Sequence, residues 1–249
     1  MNQELIDLYK NTSKHSNYQI LPNVLKPFIG ENVIQTINRY EMERWQFVNE
    51  FVDFKGKKVL DVGGNTGFFS FESIEAGADE VYYYEGNTAH AKFVNQAATL
   101  LQQNILTTNQ YVNFKDILTG SPFDIALLFN VIHHLGDDFG HAEIAMVDAK
   151  REMQKTIMYF YDFTEILVLQ IGFCWKGDRN QPLFENGTKQ EMIDFVNEAI
   201  DGKWSIEAIG IASIHGVTTH YSLLNTINVE RDNLLGEFRN RPIFILKRK

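Results

Sequence analysis

The residues best equipped for chemistry lie in two short stretches. One is Asp61-Val62-Gly63-Gly64-Asn65-Thr66-Gly67, a carboxylate followed by small residues, with a second carboxylate, Glu85, after the next apolar run, Val81-Tyr82-Tyr83-Tyr84. Small residues let a ligand approach the backbone and let a following helix pack closely. A glycine cluster is also what any tight strand-to-helix turn needs, so the carboxylates carry the functional reading. The other stretch is Asn130-Val131-Ile132-His133-His134-Leu135. A histidine titrates near neutral pH and can take the proton of a hydroxyl, although histidines also serve by satisfying neighbouring polar groups.

Two phosphate-cradling patterns fail at their own positions. A dinucleotide fingerprint starting at Gly63 needs glycine at 65 and glycine or alanine at 68, where the chain has Asn65 and Phe68. The Gly-Lys-Ser/Thr of a Walker loop is absent from the sequence. His215 and His220 have no third clear ligand near them in sequence, so no metal site is expected.

These stretches need elements to hold them. Periodicity and turn signals predict helices over 4–10 and 32–54, separated by a loop with Pro22, Pro27 and Gly30. From Lys58 onward, strands expected at 58–62, 80–84, 111–114, 123–129, 166–173, 204–212 and 242–247 alternate with helices at 68–76, 89–102, 142–162 and 189–200. That alternation implies βαβ units, hence an α/β fold: a doubly wound, mostly parallel seven-stranded sheet with a helical N-terminal cap. The expected division is 1–54 for the cap and 55–249 for the sheet domain. The 213–240 segment is long for a connection and is expected to be a lid. In such sheets ligands bind at the carboxyl ends of the strands, which is where both stretches fall.

Bulk properties narrow the classes. The chain has 249 residues, 44% hydrophobic and 22% charged, ordinary values for a globular protein. A formal charge of −9 counts against a protein built to neutralise nucleic-acid phosphates. The longest apolar stretch, 166–175, contains Gln170 and is too short to span a bilayer. One cysteine, Cys174, and no signal sequence at the N-terminus lead to an expectation of a cytoplasmic protein without a disulfide. The oligomeric state is left open by the sequence.

The run Val59-Leu60-Asp61-Val62-Gly63-Gly64-Asn65-Thr66-Gly67-Phe68-Phe69 resembles motif I of class I S-adenosylmethionine-dependent methyltransferases, in the variant with Asn at the middle glycine position. The resemblance runs from about Lys58 to the end of the chain and includes Glu85, Asp116 and the strand Phe123-Asp124-Ile125-Ala126-Leu127-Leu128-Phe129 before Asn130. It implies S-adenosylmethionine as cofactor, a final strand that runs antiparallel, and a Rossmann-like domain. It also implies that Asp61, Gly63, Gly64, Asn65 and Gly67 lie beside the methionine part, that Glu85 binds the ribose and that Asp116 meets the adenine. Asn130 and the histidines then lie close to the transferable methyl, with His133 or His134 as the candidate base.

Many small-molecule methyltransferases are similar here in carrying an Asn/Ser-x-x-His-His stretch, whereas Val131 and Ile132 replace the prolines of the amino-methylating pattern. The acceptor pocket is expected to draw on Tyr40, Arg44 and Trp45 from the cap, Trp175 and Arg179 after the fifth strand, and His215 and His220 from the lid. Lys176, Arg179 and Arg44 are candidates for receiving an anionic group. The expected activity is methyl transfer to a small-molecule nucleophile, a hydroxyl of a sugar or natural-product intermediate. Gly67-Phe68-Phe69-Ser70 is also similar to enzymes that modify the tRNA wobble uridine, so RNA modification is the alternative; a non-catalytic methyltransferase-like subunit is another.

Overall fold

The computed structural model describes residues 3–10, 19–30, 36, 38–140 and 144–249. Along these come α1 (Gln3–Lys10), α2 (Lys26–Ile29), α3 (Glu41–Phe51), β1 (Lys58–Val62), α4 (Phe68–Glu75), β2 (Glu80–Tyr84), α5 (Thr88–Leu101), β3 (Ile105–Thr108), β4 (Phe123–Phe129), α6 (Met146–Tyr159), β5 (Thr164–Gln170), α7 (Lys189–Ala199), β6 (Trp204–His215), β7 (Thr218–Leu223), α8 (Gly236–Arg239) and β8 (Ile243–Arg248). Of the helix expected over 32–54, residues 32–35 and 37 lie outside the described residues, as do 142 and 143 of the one expected over 142–162. Among the described residues no helix is long and apolar enough to cross a membrane.

One mixed sheet holds the molecule, in the order β3-β2-β1-β4-β5-β8-β6-β7. The first five strands are parallel, and β8 inserts between β5 and β6 antiparallel to both. Period-two alternation sends Leu60, Ala126 and Leu128 to the face packed by α6 and α7, and Val59, Ile125 and Leu127 to the opposite face. That second face also takes Leu5, Ile6 and Tyr9 of α1 and Trp45, Phe47 and Val48 of α3, so these helices share its core with α4 and α5. The start signal at Gly187-Thr188 is realised as a capping box: Thr188 Oγ1 accepts from Glu191 N and the Glu191 carboxylate accepts from Thr188 N.

Two strands differ from the sequence-based expectation. The third strand is Ile105–Thr108, paired Val81↔Ile105 through Tyr84↔Thr108. Residues 111–114 instead cross the sheet edge as irregular chain, with Phe114 in the left-handed region at φ 57, which breaks strand geometry. The sheet also has an eighth strand. The expected lid at 213–240 begins as the end of β6, turns at Gly216-Val217 with Gly216 at φ 65, and returns as β7, closing on the pair His215↔Thr218. Glycine at the first position of a two-residue loop suits that hairpin.

Candidate functional site

At the carboxyl ends of β1, β2 and β4 opens a cavity of about 470 Å³. One half of it is acidic. Asp61, the penultimate residue of β1, is 2% exposed and accepts a 2.6 Å hydrogen bond from Ser70 Oγ of α4. Burial pushes its carboxyl up to about 6. Glu85 follows β2 and accepts from the backbone amides of Asn65 (3.0 Å) and Asn87 (2.7 Å). Burial pushes it up to about 7, and Asp61 adds to the rise. Among the described residues no cation offsets either acid.

The glycine loop between them is packed to contact distance. A Cβ on Gly64 would stand 2.6 Å from the Tyr83 ring and 2.7 Å from Asp61 Oδ2, and Gly63, at φ +66, has Val131 Cγ2 2.9 Å from where its Cβ would be. The loop therefore offers bare backbone to whatever fills the cavity. Gly67 lies outside the cavity and caps α4 at φ 80. Gln19 closes this corner: its Oε1 accepts from Phe68 N (3.2 Å) and Thr66 Oγ1 (3.3 Å). A ligand suited to this half supplies positive charge and hydroxyl donors and carries no phosphate, because buried carboxylates repel phosphate. S-adenosylmethionine, with its sulfonium, ammonium and ribose hydroxyls, fits that description.

The other half is basic and aromatic. Asn130 follows β4 in the left-handed region, at φ 60. Its side chain donates to Gln170 Oε1 (3.1 Å) and accepts from Arg241 Nη1 (2.7 Å). The same Gln170 oxygen accepts from Arg44 (3.3 Å), whose guanidinium is 3% exposed. Arg39, Lys176 and Arg179 line this half as well.

The two histidines have different environments. His133 is 1% exposed, and its Nδ1 accepts from the Gly172 amide at 3.1 Å. Burial holds its pKa well below the usual value. The neutral ring therefore carries its proton on Nε2 and presents a donor there. His134 is partly exposed, with Nδ1 3.8 Å from Asp137 Oδ2. His134, Asp137 and Asp138 also form the one group among the described residues whose ligand atoms, within 4.8 Å of one another, could hold a metal ion.

Of the residues expected at the site, Asp61, Gly63, Gly64, Asn65, Glu85, Asn130, His133, His134, Arg44, Lys176 and Arg179 line this cavity. The others do not. Asp116 sits on the exposed loop beyond the mislocated third strand, where its carboxylate accepts from Asn113 Nδ2 at 2.6 Å; Tyr111 and Phe139 line the cavity on that side. Tyr40 caps α3, and its ring carries the Arg239 guanidinium 4.9 Å above it. Trp45 is buried against Phe54, ring centroids 4.8 Å apart, and Trp175 points inward with Nε1 donating to Leu135 O at 2.7 Å. His215 and His220 lie exposed on the β6–β7 hairpin, bonded to Ser213 and Thr218. Among the residues that sequence reasoning missed are Gln19, Arg39, Glu41, Tyr111, Asp137, Asp138, Phe139, Glu237, Phe238 and Arg241. Arg241 alone left a usable signal, standing just before the final strand, whose Ile243 pairs with Gln170.

No protein-family model and no curated protein sequence matches the chain. Solved structures do match. WbdD, described as a bifunctional kinase-methyltransferase, aligns at a TM-score of 0.61 and 14% identity, covering 98% of this chain and 46% of its own. The present chain thus spans about half the length of WbdD. Magnesium protoporphyrin IX methyltransferase ChlM from Synechocystis PCC 6803, solved with bound SAM, aligns at 0.52 and 15% identity over 99% of this chain and 90% of its own. A chain described as a hemolysin, from Streptococcus thermophilus, aligns at 0.54 and 13% identity over 87% and 68% respectively. At these identities the likeness establishes the fold alone, one that the chain shares with the methyltransferases WbdD and ChlM.

Proposed function

We propose that the protein transfers a methyl group from S-adenosylmethionine to a hydroxyl of a small molecule such as a sugar or natural-product intermediate. The observation that carries this reading is the pair of buried carboxylates, Asp61 and Glu85, at the carboxyl ends of adjacent strands, which no cation among the described residues offsets. Gly63, Gly64 and Asn65 give the cofactor a backbone wall, Glu85 receives ribose hydroxyls, and Asp61 faces the positively charged methionine part. Bound there, S-adenosylmethionine would supply an activated methyl, its carbon–sulfur bond exchanged for a carbon–oxygen bond to the acceptor, with S-adenosylhomocysteine as the leaving group and the hydroxyl proton passed to a base.

The hydroxyl proton needs a base. His134 lines the cavity and is the partly exposed histidine, with Asp137 Oδ2 3.8 Å from its Nδ1, a charge contact rather than a hydrogen bond, which makes it the candidate for that base. His133 serves as a donor from Nε2, because its Nδ1 already accepts from Gly172. Holding the acceptor in line behind the methyl carbon is worth roughly 7–11 kcal/mol of barrier, and Asn130 and the arginines beside it supply the positioning. The formal charge of −9 favours a small acceptor over RNA.

Calorimetric titration with S-adenosylmethionine, S-adenosylhomocysteine and NAD tests the cofactor. The expected result is binding of the two adenosyl ligands at about micromolar Kd, no binding of NAD, and loss of adenosyl binding in Glu85→Ala. Folded protein that binds neither adenosyl ligand would overturn the proposal.

A further inference from the structure

Phe238 of α8 is surrounded by cations. Its ring centroid lies 5.3 Å from the Arg39 guanidinium, 5.2 Å from that of Arg44 and 4.9 Å from that of Arg241. All four residues line the basic half of the cavity. Arg44 is wedged deepest, with the Phe69 and Phe129 rings 5.0 and 5.3 Å away. Aromatic faces attract cations, yet they do not cancel the repulsion among three of them. Arg39 and Arg241 in fact both depress the Arg44 pKa, on top of the larger effect of burial.

Among the described residues, two acids stand beside Arg241 and Arg44. Glu237 forms a two-pronged pair with Arg241, at 3.0 and 2.6 Å. Glu41 lies 3.8 Å from Arg44, too far for a hydrogen bond, and burial pushes its carboxyl towards the neutral form. The hydrogen bonds that Arg44 does make are long and go to neutral oxygens, Tyr40 O at 3.4 Å and Gln170 Oε1 at 3.3 Å. Lys176 and Arg179 line the same cavity. Guanidinium groups gathered at one end of a water-accessible cavity, with Arg44 held by long bonds to neutral oxygens, make a receptor for an oxyanion, which accepts paired, charge-assisted hydrogen bonds from arginine.

We propose that the Phe238 end of the cavity is an oxyanion subsite in which Arg39, Arg44 and Arg241 bind a phosphate monoester or carboxylate of the methyl acceptor. The subsite rests on the methyltransferase reading for the word acceptor, but its anion chemistry stands on these residues alone. The anion is excluded from the other half by Asp61 and Glu85. Because Arg241 also holds Asn130, binding the anion fixes the acceptor against the residue that follows β4.

The test is calorimetry with glycerol 3-phosphate and with acetate, each titrated into protein alone and into protein saturated with S-adenosylhomocysteine. One of the two anions is expected to bind at a Kd of about 1 mM or tighter; the phosphate winning assigns a phosphate monoester, and acetate winning assigns a carboxylate. Arg39→Gln and Arg241→Gln should each weaken that binding about tenfold or more, Arg39→Lys should recover part of it, and S-adenosylhomocysteine affinity should stay within about twofold. Protein that takes up neither anion at about 50 mM, or variants that bind it as well as the parent, would overturn the subsite. Failure of the methyltransferase reading shows separately, as lost S-adenosylhomocysteine binding with anion binding intact.

Discussion

Arg241 and Asn130 are joined by a 2.7 Å hydrogen bond from Nη1 to Oδ1, which ties the chain entering β8 to the residue leaving β4. Gln170, at the end of β5 between them, completes the link by accepting from Asn130 Nδ2 (3.1 Å) and donating to Arg241 O (3.1 Å). Three strand ends are thereby held in one polar frame beside the cavity.

Asn130 adopts φ 60, which asparagine and glycine tolerate and a β-branched residue does not. Asn130→Gly should keep stability within about 1 kcal/mol, whereas Asn130→Val should cost about 1–2 kcal/mol in denaturant unfolding. Both remove the link to Arg241, and both should lower kcat/KM by about tenfold or more. Full activity in Asn130→Gly would remove the frame from the mechanism.

The two buried acids make ligand binding and stability run in opposite directions with pH. Asp61 and Glu85 move from ordinary values of 3.8 and 4.5 to about 6 and about 7 in the fold. Between those limits the folded, ligand-free chain holds protons that the unfolded chain has released, so its stability falls as pH rises from about 4 to about 7 and then levels. A cationic ligand selects the ionised acids, so affinity should climb over the same range with proton release on binding. Titrating S-adenosylmethionine in buffers of different ionisation enthalpy measures the released protons; none released below about pH 6 would contradict the linkage.

Ser70→Ala sharpens that test. It removes the 2.6 Å hydrogen bond that favours the ionised form of Asp61, so the pH at which cofactor affinity is half-maximal should move upward. A downward or absent shift would mean that Asp61 is not the titrating group.

Gly64→Ala places a methyl 2.6 Å from the Tyr83 ring, which is fully buried and whose hydroxyl donates to Asn65 O. Overpacking there should destabilise by about 1–3 kcal/mol and weaken S-adenosylhomocysteine binding about tenfold or more. Parent-like thermal melting and affinity would show that the loop yields easily.

The histidines separate by tautomer. His134→Gln should lower kcat about 100-fold or more and flatten the pH profile of the rate. His133→Asn keeps an acceptor for the Gly172 amide and should lose less, about tenfold. The reverse ranking would move the base to His133.

How far the sequence was legible follows from which signals are local. β1, β2 and β4 lie where alternation placed them, because each is an apolar run closed by a turn residue. The third strand was missed because Ile105-Leu106-Thr107-Thr108 is short and half exposed, while the aromatic segment after it looks more strand-like and is held by side-chain packing instead. The eighth strand was hidden by its polar alternation at the sheet edge. The acidic half of the site was readable because motif and strand end coincide at Asp61 and Glu85. Its basic half was not, since Arg39, Phe238 and Arg241 come from loops and a one-turn helix that meet only through tertiary packing. Tyr40 and Trp45 of the cap, Trp175 after the fifth strand, and His215 and His220 of the expected lid, all chosen for their chemistry, pack against neighbours or face solvent outside the cavity.

The insertion of β8 between β5 and β6 has a consequence for biogenesis. A strand that comes after all the others in sequence occupies an interior position in the sheet. As the polypeptide leaves the ribosome, β5 must wait with an open, apolar edge, Leu167 to Leu169, until Phe244 to Leu246 arrive to cover it. Among the described residues the β6–β7 hairpin joins the sheet through β8 alone, so it waits as well. Open strand edges of this kind are templates for aggregation, so nascent chains stalled before Ile243 should be the species that chaperones capture.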